Sequence, residues 1–101
     1  MSETGNGNLF HVEASGKVLG ELNAIRLRAK KAGKGQRFLA ALRAIHDRLQ
    51  KNPKEFGEPL FRLPALKIVV YVGIVNPLVV QYGVHEEKPL VFLRGINDIS
   101  K

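Results

Sequence analysis

Cysteine is absent from this sequence of 101 residues. No disulfide framework, thiol nucleophile or thiolate metal site is therefore available, which suits a reducing compartment. Long hydrophobic runs are missing as well. The longest nearly apolar stretch, Ile68 to Val75, is eight residues, well short of the ~20 that cross a membrane. The opening Met1-Ser2-Glu3-Thr4-Gly5 has neither the basic nor the apolar region of an export signal. The expected location is the cytoplasm, with no membrane partner. Serine is scarce, and none of Ser2, Ser15 and Ser100 stands in a Gly-x-Ser-x-Gly elbow. Gly5-Asn6-Gly7 precedes a strand and Gly33-Lys34-Gly35 lacks a Gly-Lys-Ser/Thr ending, so neither reads as a phosphate loop. His11, His46 and His85 have no second histidine two to four residues away. No metal and no cofactor are expected.

With 45% hydrophobic and 25% charged residues, the composition is that of an ordinary globular domain. A chain of this length buries roughly two-thirds of its surface on folding, enough for one core. Residues 1–8 are expected to be a flexible leader and residues 9–101 a single domain. The formal charge of +7 is concentrated rather than spread. Residues 1–15 carry −2, residues 16–54 carry +9 and residues 55–101 are neutral. Such a segment favours a polyanionic partner, nucleic acid or an acidic protein, because it speeds encounter and displaces counterions from phosphates. Solubility of a helix surface explains it equally well.

Along the chain, Leu9-Phe10-His11-Val12-Glu13-Ala14 alternates like a short strand, and Ser15 reads as a helix cap. From Gly16 to Ala32, Val18, Leu22, Ile25 and Ala29 fall on one helical face. Gly33-Lys34-Gly35 breaks the pattern with residues suited to a tight reversal. A second helix places Phe38, Leu42, Ile45 and Leu49 on one face, widened by Leu39, and stops at Asn52-Pro53. Pro53 to Pro64 holds too many breakers for a regular element and reads as a loop. Three strands follow, over 66–72, 78–84 and 90–94, with turns at Asn76-Pro77 and His85 to Pro89. The expected fold is therefore α+β: an N-terminal strand, an antiparallel helical hairpin, and an antiparallel β-meander with the hairpin on one face. From Asp98 onward the chain is expected to fray.

Basic residues on or beside the strands, Arg62, Lys67, Lys88 and Arg94, are the candidates for chemistry. On a sheet, Lys67 and Arg94 either face a common cleft and hold phosphate or stand as solvent-side residues of half-buried strands. His85-Glu86-Glu87 sets a base beside carboxylates in a polar turn, and Tyr82 and His85 are weaker acid–base candidates. Arg62, Lys30, Lys31, Lys34 and Arg37 are candidates for contact with phosphate or a partner.

The second helix runs into Leu49-Gln50-Lys51-Asn52-Pro53, followed by Phe56-Gly57-Glu58-Pro59-Leu60 and Leu63. Later come Leu66-Lys67, then Val80-Gln81-Tyr82-Gly83-Val84-His85-Glu86-Glu87 and Leu90-Val91-Phe92. In order and spacing, over residues 9–97, these segments resemble the RelE/ParE superfamily of type II toxin–antitoxin toxins. The resemblance implies a β-α-α-β-β-β fold and a chain that arrests growth unless wrapped by a cognate antitoxin, an acidic or amphipathic segment. It implies mRNA on the ribosome, cut without metal, or DNA gyrase as the target. Lys67 is similar to the first catalytic lysine of the RelE-like strand, but Val69 and Val79 stand where further cations are expected. Arg94 resembles the late-strand arginine of ParE-like members. Most of the ribonuclease constellation is thus missing, and losing even one such donor costs on the order of a hundredfold in rate. Two other readings stand beside this one. The first is a non-enzymatic module whose basic helices dock an acidic protein or nucleic acid; the second is a homodimer formed through an exposed edge of the meander.

Overall fold

The computed structural model describes residues 9–100, so the expected leader over residues 1–8, and Lys101, lie outside the described residues. Strand β1, His11–Ala14, leads into helix α1, Gly16–Lys31. The Ser15 hydroxyl accepts the Val18 N–H at 3.2 Å, satisfying one of the amides a helix start leaves open. Val18, Ile25 and Ala29 form the buried stripe, while Arg28, Lys30 and Lys31 crowd the last turn, where cations suit the helix dipole. Gly33 takes φ +74°, a left-handed value that favours glycine. Helix α2, Gly35–Lys51, then returns with Phe38, Ala41, Ile45 and Leu49 buried. The helical hairpin is as the spacing predicts.

The segment read as a loop is ordered into three elements. Pro53 opens a single helical turn, α3 (Pro53–Phe56), where its missing N–H costs nothing. Glu58–Leu63 is strand β2, and Pro64–Leu66 forms a 3-10 turn. Proline is tolerated in β2 because this strand lies at the edge of the sheet. Lys67 closes the 3-10 turn at φ 56° and ψ 46°, a left-handed conformation, so the next strand starts at Ile68 rather than Leu66.

Strands β3 (Ile68–Val75), β4 (Leu78–His85) and β5 (Leu90–Asp98) form the expected meander, and β3 and β5 run on further than the sequence pattern indicates. The full order is β1-β5-β4-β3-β2, with β1 parallel to β5 and every other pair antiparallel. The edges of the meander are thus covered in part: β2 pairs with Ile68 to Val72 of β3, and β1 with Leu90 to Leu93 of β5. The new outer edge β2 carries Pro59 and a register shift between Pro59 and Phe61, two features that discourage strand addition. The tail does not fray at Asp98. Ile99 N–H bonds the Pro77 carbonyl at 2.8 Å, and Ser100 N–H bonds Asp98 Oδ1 at 2.8 Å.

Residues directly opposite one another in an antiparallel ladder share a face. Tyr71 with Tyr82, Val80 with Ile96 and Val84 with Val91 therefore point to the helices, and all belong to one core with Phe38, Ile45 and Leu49. Fully burying a side chain of this size contributes roughly 1.5–3 kcal/mol. The register puts Phe61, Val70, Gly83 and Phe92 on the other face. There Val70 is fully buried, and the Arg94 guanidinium sits 5.8 Å from the centre of the Phe61 ring. Arg94 thus reaches across the sheet from β5 towards β2.

Candidate functional site

Tyr82 is wholly buried between the rings of Phe56 and Tyr71, whose centres lie 5.8 and 5.5 Å away. Its hydroxyl donates to the Pro53 carbonyl at 2.6 Å and accepts the Gly57 N–H at 2.9 Å. Burial pushes the phenol up to about 12, with the Gly57 bond opposing the rise. The hydroxyl is engaged inside the core, away from any groove. His85 stands at the β4–β5 turn, where Nδ1 accepts the N–H groups of Glu87 and Lys88, each at 3.0 Å. That ring holds the turn together.

Arg62 meets Glu86 through two nitrogens, at 2.6 and 2.9 Å. The paired guanidinium holds the Glu86 carboxyl below the usual range. Lys67 Nζ lies 3.2 Å from the Glu87 carboxylate. Arg62, Lys67 and His85 thus gather with two glutamates where β2, β3 and β4 meet. Arg94 is elsewhere. Lys67 precedes Ile68, which pairs with His85 at the end of the ladder, whereas Arg94 stands at the β5 irregularity opposite Gln81 and Tyr82. Strand spacing and rise separate their backbones by roughly 18 Å. A common cleft for the two is not formed, because the register places Lys67 just before β3 and Arg94 midway along β5, two strands away.

Beyond the end of β1, helix α1 runs along the second half of β5. A groove of about 560 Å³ opens there, lined by Arg94, Gln81, Asn97 and Val72 from the sheet and by Arg28 and Glu21 from α1. A smaller cavity of about 220 Å³ lies at the joint of the helical hairpin and also includes Arg28. Lys34, Arg37, Asp98 and Ser100 complete its polar lining, and Pro77 and Phe38 its apolar side. Hydrogen bonds from Ser100, reinforced by the nearby charges of Arg28 and Lys34, hold the Asp98 carboxyl below its usual range. Of the four cations singled out between residues 30 and 37, only Lys34 and Arg37 share this cavity; Lys30 and Lys31 are exposed and line neither space. Arg28 joins both, and helical periodicity gave no signal for it. The apolar spacing marks only that it faces away from the stripe.

A more apolar opening, about 670 Å³, lies between the two long helices and β1, with Leu19, Leu22, Leu42, Val12 and Leu93 along it and His46 at its rim. Among the described residues no group of three His, Asp or Glu could hold a metal ion, and no helix is long and apolar enough to cross a membrane. Comparison of the chain with protein-family models, curated proteins and solved structures gives no match.

Proposed function

We propose that the chain is a growth-inhibiting toxin of the RelE/ParE type, which acts by occupying its target more than by cutting RNA and has an antitoxin as its partner. One observation carries this reading. The resemblance rests on two blocks far apart in sequence, Asn52 to Leu60 and Val80 to Phe92, and Tyr82 of the second bonds both Pro53 and Gly57 of the first. The two blocks are therefore halves of one structural unit, which gives their joint occurrence a physical reason. The helical hairpin on an antiparallel sheet is also the architecture that the resemblance implies.

Occupation is favoured over cleavage by the placement of the cations. Activating a ribose hydroxyl and steadying a phosphate need several donors around one point. Here Lys67 is paired with Glu87, Arg94 lies in another groove, and two of the family's cationic positions hold Val69 and Val79. The Arg94 groove remains as the surface for a polyanionic target. The apolar opening between the helices suits an amphipathic antitoxin segment.

Bacterial growth after tightly controlled induction of the chain tests this. Arrest is expected from the parent and from Lys67→Ala, with cellular mRNA intact, and at least tenfold weaker arrest from Arg28→Ala/Arg94→Ala. Specific mRNA cleavage lost on Lys67→Ala would overturn the occupation reading. Normal growth with soluble, folded protein would overturn the toxin reading and favour the basic module that docks an acidic protein or nucleic acid.

A further inference from the structure

Tyr71 lies directly opposite Tyr82 in the ladder, and the two rings stack 5.5 Å apart. Their hydroxyls differ. That of Tyr82 is shared between Pro53 and Gly57, whereas that of Tyr71, a residue only 9% exposed, makes no hydrogen bond with a described residue. A buried hydroxyl without a partner costs free energy, so its surroundings call for one. Tyr71 lines a cavity of about 290 Å³ with Val69, Val84, Lys54, Arg62 and Glu86. Register sets Arg62, Val69 and Val84 in one row across β2, β3 and β4, and Lys54 comes from α3. Lys54 is the second group here with no hydrogen bond or ion pair to a described residue. Arg62 gives Nε and Nη2 to Glu86, which leaves Nη1 without a bond to a described residue.

We infer that this cavity binds a small monocarboxylate, whose oxygens are shared by Tyr71, Lys54 and Arg62 and whose hydrocarbon chain lies against Val69 and Val84. Donor chemistry selects the ligand. An ammonium and a guanidinium nitrogen can only donate and the phenol has a proton to give, so the complement is a group that only accepts, as an ionised carboxylate does. Charge agrees. Arg62 keeps the Glu86 carboxyl ionised, so Lys54, Arg62 and Glu86 leave the lining at +1, which one carboxylate neutralises. The Glu86 pair also holds the guanidinium in place. Burial sorts the two ends of the ligand. Val84 and Tyr71 are buried and Val69 partly so, whereas Lys54 and Arg62 are exposed, which gives an apolar floor beneath a cationic rim. Size sets the chain length. A water occupies about 30 Å³ of liquid, so the space takes roughly ten heavy atoms, and hexanoate fits within it.

The cavity shares no residue with the Arg94 groove, and its test reads binding instead of growth, so it stands or falls apart from the toxin reading. Hexanoate, hexanamide and dimethyl phosphate are titrated into the full chain and followed by NMR. The expected result is saturable movement of the Val69, Tyr71 and Val84 amide signals by hexanoate, with a Kd of roughly 1 mM. Hexanamide, which lacks the charge, and dimethyl phosphate, whose charge sits between two ester arms instead of at the end of a chain, should bind at least tenfold more weakly. Tyr71→Phe keeps the ring stack and is expected to weaken hexanoate binding severalfold without lowering the melting temperature, because the hydroxyl it removes has no partner in the fold. Lys54→Gln should weaken binding at least tenfold, and Lys30→Gln, which removes the same charge from exposed α1, less than twofold. Equal losses from the two Gln variants would reduce the effect to net charge and overturn the proposal. So would equal binding of hexanamide or dimethyl phosphate, unchanged binding by a less stable Tyr71→Phe, or no saturation below about 10 mM.

Discussion

Tyr82 donates to the Pro53 carbonyl at 2.6 Å, joining the middle of β4 to the end of the helical hairpin. The same hydroxyl accepts from Gly57, so one phenol satisfies two backbone groups that flank a helical turn. Tyr82→Phe removes the partner of a buried carbonyl and a partly buried N–H, and unfolding in urea should show a loss of about 1–3 kcal/mol. An unchanged midpoint would mean that water replaces the phenol.

The same residue sets an alkaline limit. Burial raises the Tyr82 pKa from 10.0 to about 12, so the fold favours the neutral phenol. That contribution is complete below pH 10 and is lost as pH climbs towards about 12. Stability measured across this window should fall more steeply in the parent than in Tyr82→Phe. Parallel curves would contradict the assignment.

Two glycines predict opposite outcomes. A Cβ on Gly57 would run into the Val72 carbonyl oxygen and come within 2.7 Å of the Tyr82 hydroxyl, so Gly57→Ala should destabilise by more than about 2 kcal/mol. Gly20, inside α1, has nothing within 4 Å of such an atom. Gly20→Ala should therefore stabilise by about 0.5–1 kcal/mol through lower backbone freedom in the unfolded chain. Thermal melts of both variants check the pair.

Lys67 holds a left-handed backbone conformation, unfavourable for a residue with a Cβ by roughly 1–2 kcal/mol. Lys67→Gly should raise the melting temperature even though it removes the exposed contact with Glu87. A fall would assign more to that ion pair than exposed pairs ordinarily contribute.

Arg62 holds the Glu86 carboxyl down, so Arg62→Ala should move its titration back up towards the ordinary carboxylate range, as read by NMR. Because Glu86 is held low in the fold, its small contribution is present at neutral pH and fades as pH falls through its titration.

The helices were legible because one buried stripe at helical spacing, interrupted at Gly33, leaves little choice of register. β2 was not legible. Pro59 and Pro64 mark breaks in most contexts, and only the position of β2 at the sheet edge makes Pro59 admissible in a strand. Strand types were visible in the valine-rich segments, but their order was not, because β1 reaches β5 across the whole chain. The candidate residues divide in the same way. Lys67 and Arg94 were visible as charges beside strands, yet their separation follows from register. Arg28 looked like any solvated helix cation until the end of β5 came to lie beside it.

The parallel pairing of β1 with β5 aligns His11 with Leu90 and Ala14 with Leu93. During synthesis the first strand thus has no neighbour until the last has left the ribosome. At ~5–20 residues per second, several seconds separate the two. Over that interval the nascent chain cannot complete its sheet, and the Arg28 cavity lacks its Asp98 wall.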